Sequence, residues 1–217
     1  MNKKIININF VSTSYNNPKH SMQLEINVSK YKCIPISENN ALLFTINALT
    51  SNDFDHLKTT LTTIKCKKSL KKIWKIAAKQ KSLNKDIQEL FRSEWTVRSH
   101  QIRNAFNNDK ELVKILYKIF PAYTGAGITL WRGEQLCRFK KNRVGFNWTP
   151  KEEVAKRFAS GLCSYYKEGG VLLKVYAEPQ AIITGSCPHS EYLGEHELIV
   201  NPFKLSKITE IKHFNSR

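Results

Sequence analysis

The spacing of apolar residues changes period partway along the chain, and that change restricts the fold more than any single motif. Between residues 58 and 120 apolar side chains recur at helical spacing; from Ile128 onward they come in short runs bounded by glycine, proline or asparagine, as strands do. Cys66, Leu70, Ile73, Trp74 and Ala77 make one helical stripe, and Leu83, Ile87, Leu90, Phe91, Trp95, Ile102 and Phe106 make a second. Asn108 or Asp109 caps a third helix over 110–120, which Pro121 ends. After a small-residue loop at 122–127, strands are predicted at 128–132, 145–149, 171–176, 180–184 and 195–200, with 207–213 closing the sheet. One helix interrupts them. Thr149 reads as its N-cap, Pro150 as its first residue and Glu152 as the partner in a capping box, with Val154, Ala155, Phe158 and Ala159 facing inward.

The fold class that follows is α+β, a helical layer ahead of a β core. Residues 1–55 alternate apolar and polar in places, as at 4–10 and 22–28, and are expected to form a small β-rich region of unassigned role. The rest, 56–217, reads as one domain with a basic helical part at 56–121 and a β core at 122–217.

Charge narrows the partners. Lys and Arg number 35 against 18 Asp and Glu, a net charge of +17. Residues 58–103 alone hold 13 basic and three acidic side chains. Such a field attracts polyanions: nucleic acid first, an anionic membrane surface or an acidic protein otherwise. The N-terminus lacks the unbroken apolar stretch of a secretory signal, and no apolar run reaches the roughly 18 residues of a membrane span. Five scattered cysteines with no CxxC pair suit a reducing cytoplasm and supply no metal constellation.

Chemistry concentrates in the stretch Gly194-Glu195-His196-Glu197-Leu198-Ile199-Val200. On a regular strand Glu195, Glu197 and Ile199 would share one face and His196, Leu198 and Val200 the other. Two carboxylates side by side repel unless a cation or substrate answers them; a solvated acidic edge is the alternative. Upstream, a strand ends on an arginine (Leu130-Trp131-Arg132-Gly133-Glu134), and a strand-to-helix corner carries a hydroxyl beside an aromatic (Gly145-Phe146-Asn147-Trp148-Thr149).

An arginine-ended strand, a hydroxyl-bearing corner and Glu-x-Glu, in that order, resemble the ADP-ribosyltransferases of the arginine–serine/threonine–glutamate class, which includes the Glu-x-Glu bacterial toxins. The resemblance covers residues 120–213. It implies a split β-sandwich, NAD+ as co-substrate, no metal, and transfer of ADP-ribose with release of nicotinamide. It implies that Arg132 and Gly133 meet the NAD phosphates and the nicotinamide-side ribose, an ion pair of Arg132 with Glu134 being the alternative. Thr149 would hold the catalytic glutamate or line the nicotinamide pocket. Glu197 would be the catalytic carboxylate, and Glu195 would orient or deprotonate the acceptor beside Tyr192. Trp148 and Phe158 would stack on nicotinamide or belong to the core. The family's central motif is commonly Ser-Thr-Ser, whereas Asn147-Trp148-Thr149 has an amide first, which alters the hydrogen bonding expected around Glu197.

The acceptor stays open between nucleic acid, with RNA ahead of DNA on charge, and a protein arginine. By analogy, a compact cytoplasmic transferase of this kind suits a toxin of a toxin–antitoxin or phage-defence system, with an antitoxin as partner. A nucleic-acid-binding module without chemistry is the alternative from another class.

Overall fold

The computed structural model describes residues 37–217, and the strands expected within 1–36 lie outside them. A helical layer comes first: α1 (Glu38–Ser51), α2 (Phe54–Leu61), α3 (Lys67–Ala77), α4 (Lys85–Phe106) and α5 (Asp109–Ile119). The β-rich part follows with β1 (Ile128–Gln135), α6 (Leu136–Phe139), β2 (Asn147–Trp148), α7 (Glu152–Ser160) and β3 (Gly170–Ala177). It ends with β4 (Ile182–Thr184), α8 (Pro188–Tyr192), β5 (Leu198–Val200) and β6 (Thr209–Phe214). None of these helices is long and apolar enough to cross a membrane.

The α+β class stands, but the described part of the 1–55 region is helical rather than β. Ala41, Ala48 and Leu49 are buried at i, i+7 and i+8, and the Ser37 hydroxyl caps α1 by accepting from the Asn40 N–H. Helices α4 and α5 start where asparagines cap them: Asn84 Oδ1 accepts from Ile87 N–H at 2.8 Å and Asn108 Oδ1 from Glu111 N–H at 3.0 Å. Aromatic rings tie the layer together. Trp74 of α3 meets Phe91 edge-on at 5.0 Å between centroids and lies 6.0 Å from Trp95, both on α4. Helix α4 kinks at Arg98, whose guanidinium bonds the carbonyls of Leu61 and Ile64 and pairs with Glu94.

Among the described residues six strands form two antiparallel sheets of three, ordered β1-β3-β6 and β2-β5-β4. Among the described residues a single isolated bridge, Trp131 to Thr149, connects them, with both backbone hydrogen bonds made at 2.7 and 2.9 Å. The second sheet separates two cores. Ile183 and Ile199 join the helical core with Phe146, while Ile182, Leu198 and Val200 face the other core with Trp148.

Three local expectations are corrected. Strand β1 runs on through Gly133 and Glu134 to Gln135, paired with β3 throughout. Thr149 does not cap α7, which starts at Glu152 behind Lys151. Its N–H and C=O are committed to Trp131, so Thr149 stays bridged and its hydroxyl accepts from Lys151 N–H at 3.2 Å instead. Glu195 and Glu197 lie before β5, not on it.

Trp74 is 1% exposed at the junction of α3, α4 and the α5 end, so Trp74→Ala should lower unfolding free energy by about 3–5 kcal/mol in urea denaturation. A loss below about 1 kcal/mol would contradict this packing.

Candidate active site

A cleft of about 350 Å³ opens where the two sheets meet at the Trp131–Thr149 bridge, walled by Trp95 and Arg103 of α4 and Phe158 of α7. Arg132 reaches it from β1. Its Nε donates to Glu134 at 2.9 Å and its Nη1 donates to the Asn147 carbonyl at 2.5 Å. Nη2 has no partner among the described residues. Gly145 makes this placement possible, since a Cβ there would overlap the guanidinium. Burial works against the charge on Arg132, yet Glu134 beside it more than compensates and holds the guanidinium protonated.

Glu134 is 2% exposed and fully engaged. Besides Arg132 it accepts from Gly145 N–H at 2.8 Å and Gln135 N–H at 3.0 Å, with Arg138 at 3.8 Å. Burial alone would raise its pKa; Arg132 and Arg138 outweigh that and hold it below the ordinary carboxylate value. The expected ion pair therefore exists, but it is buried and serves to aim Arg132. The two readings of Arg132 are compatible.

Glu197 enters from the turn just ahead of β5. Its Oε2 accepts from Asn147 Nδ2 at 2.8 Å, and its other oxygen takes no hydrogen bond among the described residues. Asn147 also accepts from Trp95 Nε1 at 2.8 Å through Oδ1. The indole nitrogen is a donor only, so it fixes which end of the amide faces it and leaves the NH₂ for the carboxylate. One residue thus touches both side chains, Arg132 through its carbonyl and Glu197 through its amide.

Ser190 of α8 builds the turn that presents the two acids. Its carbonyl accepts from the N–H groups of Glu195 at 2.9 Å and His196 at 3.3 Å, and its hydroxyl accepts from Glu197 N–H at 2.8 Å. His196 between them adopts φ +48°, a left-handed conformation that costs a residue with a Cβ on the order of 1 kcal/mol. Both carboxylates line the cleft. Burial and the neighbouring Glu195 push Glu197 up to about 7 against the pull of Asn147, Arg132 and Arg92. Burial also raises Glu195, with His189 and Arg157 opposing.

Of the residues singled out by sequence, Arg132, Gly133, Trp148, Thr149, Phe158, Glu195 and Glu197 all line the cleft. Their roles are sorted by contacts. Gly133 is where α7 crosses β1: a Cβ would strike the backbone of Ala155 and Ala159. Trp148 is 1% exposed, belongs to the core, and donates from Nε1 to the Gly145 carbonyl at 3.1 Å. Thr149 does not hold the glutamate; Asn147, two residues earlier, does. Tyr192 ends α8 outside the cleft lining and is 88% exposed. Sequence reasoning missed Asn147, Glu134, Gly145, Trp95 and Ser190 as site residues. Cys163, also in the lining, is pushed up to about 11 by burial, which favours its protonated thiol near neutrality. Among the described residues no group of three or more His, Cys, Asp and Glu is placed to hold a metal ion.

A carboxyl raised from 4.5 to about 7 on folding binds its proton more tightly in the native state, so stability falls as pH rises between those values and levels off above them. Glu197→Gln should flatten that part of a urea-denaturation profile against pH. In an NMR titration Glu195→Gln should move the Glu197 midpoint down by removing the like charge. An unchanged midpoint would show that the two carboxylates do not interact.

No family model, no curated protein and no solved structure matches this chain, so the cleft is characterised by its own geometry.

Proposed function

We propose that the chain is an NAD-dependent mono-ADP-ribosyltransferase whose cleft cleaves the nicotinamide–ribose bond and passes ADP-ribose to nucleic acid. The observation that carries this reading is the meeting of Arg132, on β1, and Glu197, in the turn ahead of β5, on the single residue Asn147. The two-sheet β part, joined at one bridge, is compatible with a split β-sandwich of the ADP-ribosyltransferase type.

The donor set suits NAD. Arg132 keeps Nη2 and part of Nη1 for an anion, and a planar guanidinium braced by Glu134 is suited to bidentate recognition of a diphosphate. With the diphosphate there, the nicotinamide ribose would lie against Glu197. As the C1′–N bond breaks, its electron pair leaves with neutral nicotinamide and positive charge develops at C1′. Ionised Glu197 accepts a hydrogen bond from the ribose hydroxyl and stabilises that charge, as carboxylates do in glycoside cleavage. The acceptor atom then bonds to C1′ and its proton passes to Glu195, whose pKa burial has raised towards that of a base.

Nucleic acid is favoured as acceptor, with RNA ahead of DNA, because unpaired bases are readily presented to a cleft and the chain is strongly basic. A toxin of a toxin–antitoxin or phage-defence system, neutralised by an antitoxin, is the biological setting this chemistry fits.

Incubation with labelled NAD and total RNA or total protein tests the reading. Label should enter RNA with stoichiometric nicotinamide release, and Glu197→Gln, which keeps an oxygen for Asn147, should slow release by about 10²–10³-fold. Label only on protein would move the acceptor to arginine. RNA binding with no nicotinamide release would leave a binding module.

A further inference from the structure

We propose that the lysine face of α3 is a docking site for the backbone of single-stranded nucleic acid, separate from the cleft, through which the acceptor is captured. This rests on the transferase reading for its purpose, though not for its test. Lys68, Lys71, Lys72 and Lys75 fall at i, i+3, i+4 and i+7 on one face of α3, Lys79 follows in the turn after its C-terminus, and with Ile76 all five line a shallow groove of about 420 Å³. No carboxylate lines it.

The lysines divide into two sets. Lys71 and Lys75 are half-buried and pinned on Glu111 of α5 at 3.0 and 2.6 Å, Lys71 also donating to the Phe106 carbonyl at 3.1 Å. Lys68, Lys72 and Lys79 are exposed and have no ion pair among the described residues. Glu111 neutralises one charge of the inner pair, so the face keeps a surplus of positive charge with its free ammonium groups outermost. Residues four apart on a helix rise about 6 Å, which lets neighbouring lysines engage successive phosphates of one strand.

The other polyanion class, an anionic membrane, fits less well. A basic helix binds a bilayer by inserting an apolar face, and the apolar face of α3 is already spent: Leu70, Ile73, Trp74 and Ala77 are all 2% exposed or less inside the helical core.

The face also stands in a defined relation to the cleft. Trp74 on the inner side of α3 packs on Trp95 of α4, and Trp95 lines the cleft, so the helix that carries the lysines is packed directly onto a wall of the cleft while none of those lysines lines it. A single strand that follows the lysine face can present one of its unpaired bases elsewhere on the protein.

The test is fluorescence anisotropy of a labelled 16-nucleotide single-stranded RNA against wild type, the Lys68→Gln/Lys72→Gln/Lys79→Gln variant, and a control with Lys167, Lys207 and Lys212 changed to Gln. All substituted positions are exposed, and circular dichroism verifies the fold. The α3 variant should bind at least tenfold more weakly at 0.1 M salt, with the slope of log affinity against log salt reduced by about 2, while the control changes less than threefold. Nicotinamide release without RNA should stay within twofold of wild type. Equal losses in both variants, no loss in the α3 variant, or tighter binding of wild type to phosphatidylserine vesicles than to RNA would overturn the proposal. Absent nicotinamide release in wild type would instead overturn the transferase reading and leave the RNA comparison to decide the docking face.

Discussion

The site depends on the side-chain amide of Asn147. A free amide can turn either end toward a carboxylate, and presenting its oxygen to Glu197 would repel it. The indole N–H of Trp95 removes that choice by taking the oxygen at 2.8 Å, so the NH₂ is committed to Glu197. Trp95 is itself fixed by its ring neighbours Trp74, Phe120 and Phe146. The helical layer therefore orients the carboxylate without touching it. Breaking the indole hydrogen bond would free the amide to flip, a larger effect on Glu197 than the energy of one hydrogen bond suggests.

The two charged ends of the cleft are handled differently. Arg132 is neutralised in advance by Glu134, whose oxygens are also used by two backbone N–H groups, so the guanidinium sits in a rigid frame with one edge left over. Glu197 has Arg132 and Arg92 only as more distant attractions, and Glu195 as a repulsion. A carboxylate under those conditions gains when positive charge approaches. Preorganised groups of this sort stabilise a charge that develops during reaction more than one already solvated in the ground state, which is the physical content of the proposed NAD cleavage.

Much of the helical layer was legible because α3, α4 and α5 have clean apolar stripes and asparagine caps at Asn84 and Asn108. Helix α1 was not, since Leu43 and Phe44 are 56% and 47% exposed and blur the stripe made by Ala41, Ala48 and Leu49. Arg132, Thr149, Glu195 and Glu197 were placed together by their order along the chain, and all line one cleft. Their local conformations were not legible. The Thr149 cap was overruled by a bridge to Trp131, 18 residues earlier, and the regular Glu-x-Glu strand by Ser190, which draws three consecutive N–H groups onto itself. Asn147 stands in the strand-to-helix corner, but its hydrogen bond from Trp95 spans 52 residues and no local pattern signals it. Such contacts override local propensity, and they cluster where a fold builds a site.

The central claim is that Arg132 and Glu197 address two ends of one NAD molecule. A crystal structure with an NAD analogue whose glycosidic nitrogen is replaced by carbon tests it most directly. The account predicts the diphosphate within hydrogen-bond reach of the Arg132 guanidinium and a hydroxyl of the nicotinamide-side ribose on the Glu197 carboxylate, with Asn147 still bonded to Trp95. An analogue bound elsewhere, or one that leaves Glu197 facing only solvent, would contradict it.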